Sequence, residues 1–307
     1  MGNVIAKTAI RALTKKMAAA DEAFYAQKKE CNGITEQQDI SYADGLTMDF
    51  YTPTNQQPCD IVIVDIHGGA WVYGDKRWNR HFCMHMAAHG FAVFNINYRL
   101  VPDVSVKQQL QDIFLALRYI KERENQYGIQ GFKICLAGDS AGAHLASLAA
   151  CICKDAGYQR LYAVDAMHMH IDMLLLQHGI YDLKPMKSSS NFMMKKLYGW
   201  MYPKAESTLR AKDCLTTFLD ESWDIPIFLL SSTGDEMFVS QTMHLATLLD
   251  QYQKRYELLC WENKELNHVF HISQPDGKES QESFDRMSVF LKTVRNPSSS
   301  DSEISSV

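Results

Sequence analysis

The chain has 307 residues, 46% hydrophobic and 22% charged, with a formal net charge of −5. This is the composition of a globular protein, long enough to bury a core without a disulfide or metal. The mild acidity and the absence of a Lys/Arg cluster speak against a nucleic-acid partner, and no stretch predicts a membrane span.

Residues 4–30 carry Ile5, Ile10, Leu13, Met17 and Phe24 at spacings of mostly three to five, with Lys7, Arg11, Lys15 and Lys16 between them. The pattern predicts an amino-terminal helix laid on the domain rather than on a membrane surface, with Gly33 as a stop signal. Residues 1–35 are taken as this helix and a possible cap. "MGNVIAKTAI" lacks the apolar centre of a secretory signal, and Ala6 stands where a myristoylation signal wants Ser or Thr. The eight cysteines, Cys135 in "FKICLAG" among them, show no zinc spacing and are expected to be buried free thiols. A cytoplasmic location is therefore expected.

"DISYADGLTMDFYTP" predicts two strands joined at Asp44–Gly45. Strands and helices then alternate. Apolar runs at 60–66, 91–98, 132–138, 172–179, 225–232 and 256–262 predict strands. Helices are predicted at 79–89, at 104–127, from Ala141 to Gly157, at 238–254 and at 279–294. Short, continuously apolar strands separated by helices imply an α/β fold, a mostly parallel sheet covered on both faces. The catalytic domain is expected over 36–295. Residues 185–222 break the rhythm and predict a small helical cap insertion. The tail 296–307, "NPSSSDSEISSV", predicts disorder.

The chemistry is carried by "LAGDSAGAHLA", where Gly138-Asp139-Ser140-Ala141-Gly142 matches G-x-S-x-G between a strand and a helix. Such a turn lifts the Ser140 hydroxyl above the carboxyl edge of the sheet. A serine needs a base and an orienting carboxylate, which follow it along the chain in this arrangement. Asp235, just past the strand "IPIFLLSS", is the chosen acid and Glu236 its alternative. His268, in the loop after "YELLCWE", is the chosen base ahead of His271. The tandem glycines of "HGGAWVYGDKRW" follow another strand. Backbone N–H groups of Gly68, Gly69 and Ala141 are expected to hold an oxyanion, the glycines allowing close approach of substrate. His67 is expected to hold that loop. His144 is placed under the turn, and Asp139 and Asp182 are read as structural. His168 and His170 form H-x-H without a third ligand, so no metal is expected. Trp71 and Tyr73 are the substrate-lining candidates, with Trp78 and the aromatics of 198–202 beside them.

"HGGAW", "NYRL", "GDSAGAHLA", "GDEMF" and "NHVFH", in this order, resemble the α/β-hydrolase esterases of the hormone-sensitive-lipase-like group and the neighbouring acetyl-esterase and kynurenine-formamidase branches. The resemblance covers about residues 40–294. It implies an eight-stranded, mostly parallel sheet with one antiparallel strand near its start, and a triad of Ser140, Asp235 and His268. It also implies an oxyanion hole of Gly68, Gly69 and Ala141, and a cap built from 4–30 and 185–222. Ala70 departs from the group's usual third glycine, and Ala143 from a common further glycine. Both departures lean toward the acetyl-esterase and formamidase branch.

The expected activity is hydrolysis of short-chain acyl esters through an acyl-enzyme, with a small-molecule ester as partner and no cofactor. A homo-oligomer is left open. The alternatives are an arylformamidase-like amide hydrolase, a deacetylase of acetylated sugars, or a hydrolase-fold protein that binds without catalysis.

Overall fold

The computed structural model describes residues 31–166 and 169–295, with residues 8, 10–12 and 14–16 of the amino-terminal region. Those few residues are helical, and the Arg11 guanidinium hydrogen-bonds Asp103. The remainder of the predicted helix 4–30, His168 and the tail 296–307 lie outside the described residues.

The Asp44–Gly45 hairpin forms between β1 (Ile34–Ala43) and β2 (Leu46–Pro53), with Gly45 at φ 67°. The apolar runs become β3 (Ile61–Ile66), β4 (Ala92–Ile96), β5 (Lys133–Asp139), β6 (Met173–Gln177), β7 (Ile227–Ser232) and β8 (Tyr256–Trp261). Together they form one eight-stranded sheet in the order β1-β2-β4-β3-β5-β6-β7-β8. β2 runs antiparallel to both neighbours, and every later pair is parallel.

The sheet is buried on both faces, which is why its inner strands read as unbroken apolar runs. Along β3, Val62, Val64 and Ile66 pack with Leu110, Leu145 and Leu249, whereas Ile61 and Ile63 pack with Phe82, Met86, Phe284 and Met287. Helices Val106–Glu122, Ala141–Lys154 and Val239–Gln251 thus cover one face. Helices Arg80–Ala88 and Lys278–Arg295 cover the other.

Two predicted helices are broken. The run 104–127 stops at Arg123 (φ −118°, ψ 20°), and a short turn, Glu124–Tyr127, precedes Gly128 at φ 67°. The helix after Ser140 ends at Asp155, whose side chain accepts the Tyr158 N–H and so starts a second helix, Ala156–Tyr162. The segment 185–222 folds as short helices, Lys184–Ser188 and Phe192–Met201, followed by 3-10 turns Lys204–Ala211 and Leu215–Thr217. Buried Asp213 pins them, accepting from the Tyr198 hydroxyl at 2.7 Å and Lys187 Nζ at 3.1 Å. No disulfide joins the cysteines among the described residues, and of the eight only Cys83, Cys135, Cys151 and Cys214 are buried.

Candidate active site

Ser140 stands between β5 and the helix Ala141–Lys154 at φ 51°, ψ −116°. A non-glycine residue there stores about 1–3 kcal/mol of strain, which the surrounding packing must hold. The Ser140 N–H is held by the Gln177 carbonyl at 2.9 Å. Gly142 is dictated by contact: a Cβ there would lie 1.8 Å from the Ile66 carbonyl oxygen at the end of β3.

Asp235 and His268 arrive from neighbouring strand ends, past β7 and β8. Asp235 is buried, and its Oδ2 lies 2.8 Å from His268 Nδ1. A carboxylate only accepts, so Nδ1 carries the proton and Nε2 is left as the basic atom. His271 is instead turned inward, buried, with Nε2 2.6 Å from Gln177 Oε1. Glu236 is exposed, and among the described residues no histidine hydrogen-bonds it.

A residue that sequence reasoning did not single out completes this group. His178, at the end of β6, places its Nδ1 2.8 Å from the same Asp235 Oδ2. Burial acts to raise the Asp235 carboxyl, but the hydrogen bonds of His178 and His268 outweigh it and hold the group below the usual carboxylate range. The legible signal was position: a histidine directly past the strand between β5 and β7 must stand at the carboxyl edge. His178, Asp235 and His268 also bring three metal-capable atoms within 4.8 Å of one another. Here both Nδ1 atoms address one carboxylate oxygen, which is hydrogen-bond geometry.

The glycine loop departs from expectation. The Gly68 N–H donates to Asp139 Oδ1 at 2.9 Å, so Gly68 is removed from the expected oxyanion donors. The next two N–H groups, of Gly69 and Ala70, have no acceptor among the described residues. Ala141, as first residue of its helix, has no intrahelical acceptor either. The glycines also answer to the protein rather than to a ligand. A Cβ on Gly68 would meet Asp139 Oδ2 at 2.3 Å, and one on Gly69 the Tyr73 carbonyl at 2.1 Å.

Asp139 is thereby a loop anchor. Asn79 Nδ2 donates to it at 2.8 Å and to Asp65 at 2.9 Å. Burial pushes both carboxyls up, Asp65 the more so because Asp139 adds its charge. His67 is buried, with its Nδ1 2.7 Å from the Gly68 carbonyl and its ring stacked on Tyr98. Burial pushes its pKa down to about 4.

Ser140, His268, Gly68, Gly69 and Ala70 line one cavity of about 750 Å³. Trp71, Tyr73 and Trp78 form part of its wall, as do Asp139 and Asp182. The remainder is chiefly apolar: Met186, Met194 and Leu197 come from residues 185–222, and Met237, Phe238 and Ile272 from the segments after β7 and β8.

The sequence profile of the BD-FAE family matches residues 48–249, which contain the glycine loop, Ser140 and Asp235. The chain belongs to the BD-FAE family. Its fold is that of an α/β-hydrolase, as the motif order implied. It is 30% identical over 179 residues to a probable carboxylic ester hydrolase, LipM, of Mycobacterium tuberculosis, covering 58% of this chain and 39% of the relative. Over 100 residues it is 36% identical to neutral cholesterol ester hydrolase 1 of Pongo abelii, covering 31% and 24%. The chain thus spans well under half the length of these curated relatives. Among solved structures, esterase B from Lactobacillus rhamnosis, inhibited with a C4-C4 tributyrin phosphonate, superposes with a TM-score of 0.87 at 27% identity. That match covers 95% of this chain and 96% of the other. No helix among the described residues is long and apolar enough to cross a membrane.

Proposed function

We propose that this protein is a serine carboxylesterase that hydrolyses short-chain acyl esters through an acyl-enzyme. The observation that carries the reading is that Ser140, in its strained turn, and His268, oriented by Asp235, line the same apolar cavity. The Ser140 oxygen attacks the ester carbonyl carbon while His268 Nε2 takes its proton. The carbonyl oxygen becomes an oxyanion, held by the N–H groups of Gly69, Ala70 and Ala141. His268 returns the proton to the leaving alcohol, and water repeats the sequence on the acyl-enzyme. Asp235 keeps the imidazole in the tautomer this requires.

The butyryl-type inhibitor on the Lactobacillus relative supports a short acyl group. The cavity is larger than an acetyl group needs and lies within the range of small-molecule sites. Its apolar wall favours an apolar alcohol over an acetylated sugar, and we assign residues 185–222 as the cap over it. Cysteines without a disulfide among the described residues fit a reducing compartment, and we assign the protein to the cytoplasm.

The test is turnover of p-nitrophenyl esters from acetate to palmitate beside N-formylkynurenine, with Ser140→Ala as control. Turnover of the short esters that falls by several orders of magnitude in Ser140→Ala is expected. Substantial turnover in that variant, or no fluorophosphonate labelling of Ser140, would sink the assignment. Preference for N-formylkynurenine would move the protein to the amide-hydrolysing branch.

A further inference from the structure

We propose that His178 is a positioning residue for the base: by sharing one Asp235 oxygen with His268, it locks the carboxylate and keeps His268 competent to lower pH. This rests on the triad reading above.

The two histidines reach Asp235 from opposite sides of β7, His178 from the end of β6 and His268 from beyond β8. Both Nδ1 atoms lie 2.8 Å from Oδ2, whereas among the described residues Oδ1 takes only the Phe238 N–H at 3.3 Å. One imidazole would leave the carboxyl free to swing toward it. A second donor from another strand end removes that freedom.

His178 costs the fold more than packing would justify. It is fully buried at φ 50°, and its Nε2 has no hydrogen-bond partner among the described residues. A left-handed non-glycine residue and a buried unpaired nitrogen are each unfavourable. An apolar side chain would fill the space without the second cost, so the Nδ1–H is the part of this residue in use. The ring is clamped for that purpose. It stacks on His271 at 5.6 Å and 5°, with Phe270 edge-on at 5.4 Å, and His271 is itself fixed by Gln177.

The titratable groups around this pair are Asp235, His268, His271, Tyr181 and, across the site, Asp139. Burial disfavours a charge on His178, so it serves as a neutral donor. Such a donor draws charge from Oδ2 and weakens its hold on a proton at His268. Its removal therefore has two signatures. The carboxylate loses its position, which lowers kcat, and binds an imidazolium more strongly, which moves the acidic limb of the pH profile upward. His178 does not line the cavity, so KM should not follow.

The experiment compares wild type, His178→Ala and His178→Asn on a short p-nitrophenyl ester across pH, with melting temperatures alongside. His178→Ala is expected to lower kcat about ten- to hundredfold. KM should stay within about twofold, and the acidic limb of kcat/KM should rise by roughly half a pH unit or more. Asn tolerates the left-handed backbone and carries an N–H near the Nδ1 position, so His178→Asn should restore most of both. If Ala leaves too large a hole to fold, His178→Leu removes the donor while filling it. A folded donorless variant with unchanged kcat and pH limb overturns the proposal, as does His178→Asn behaving like His178→Ala. Wild type without Ser140-dependent turnover instead sinks the triad reading, and this inference with it.

Discussion

Trp71 and His144 are joined across 3.1 Å, indole Nε1–H to imidazole Nδ1, with their rings set edge to face. His144 Nε2 then lies 2.7 Å from the Asp213 carbonyl, so the proton sits on Nε2. Burial holds the ring below its ordinary pKa and therefore neutral. One chain of bonds thus ties the glycine loop to the helix after Ser140 and to Asp213 in the segment 185–222. Trp71→Phe keeps most of the volume but strands Nδ1 in the interior, at a cost of about 1–3 kcal/mol. The melting temperature should fall by roughly 2–4 °C per kcal/mol, and kcat should fall with it as the loop loosens. An unchanged melt would show that the loop is held by its backbone alone.

His67 gives a stability term with a definite sign. Its pKa is pushed down from 6.5 to about 4 by burial, partly offset by the Gly68 carbonyl. Between those values the unfolded chain binds a proton that the folded chain refuses. The stability tied to neutral His67 is therefore complete above 6.5 and is lost as the pH falls toward 4. His67→Phe retains a ring to stack on Tyr98 but cannot titrate. The stability gap between wild type and this variant should be constant above neutrality and shrink through that window. Urea unfolding at several pH values measures it, and a gap independent of pH would contradict the neutral assignment.

The sheet was legible because strands buried on both faces must be continuously apolar, as in "IVIVDI". Ser140 was legible because a tight strand-to-helix turn needs small residues beside it, and Gly142 under Ile66 gives the reason. Gly68 looked like an oxyanion donor because spacing cannot tell which N–H a neighbouring carboxylate has taken. That is settled by Asp139, which is 71 residues away along the chain. For His178 the place at the sheet edge was legible and the partner was not, for a similar reason. Its partner Asp235 lies 57 residues on, and "LLLQHG" shows a strand ending but not what stands opposite. The break at Arg123 carries no proline or glycine to announce it.

Lys76 is placed against expectation for a lysine, with its side chain almost wholly buried. Its Nζ lies 2.5 Å from buried Asp49 and 2.9 Å from exposed Asp39. It anchors the loop after the glycines to the first hairpin. Lys76→Met leaves the Asp49 charge uncompensated in the interior, where breaking a pair costs about 3–5 kcal/mol. Denaturant unfolding should show a loss of that order. Adding Asp49→Leu to Lys76→Met should recover much of it, since no buried charge then remains. If the double variant is no more stable than Lys76→Met, packing and not charge is what Lys76 supplies.

Leu197 tests the use of the cavity. It projects from the helix Phe192–Met201 and lines the same space as Ser140, together with Met186 and Met194. Trp at this position would fill part of that volume without touching Asp235 or His268. If the inserted segment bounds the acyl or alcohol group, Leu197→Trp should penalise long esters more than acetate. A few methylenes denied an apolar wall are worth about 1–3 kcal/mol, or roughly ten- to two-hundredfold in kcat/KM. The ratio of hexanoate to acetate turnover should therefore fall by at least about tenfold, with kcat on acetate nearly unchanged. An equal loss on both esters would mean that the indole had disturbed the triad. An unchanged ratio would mean that substrate lies elsewhere along the wall, toward Met237 and Phe238.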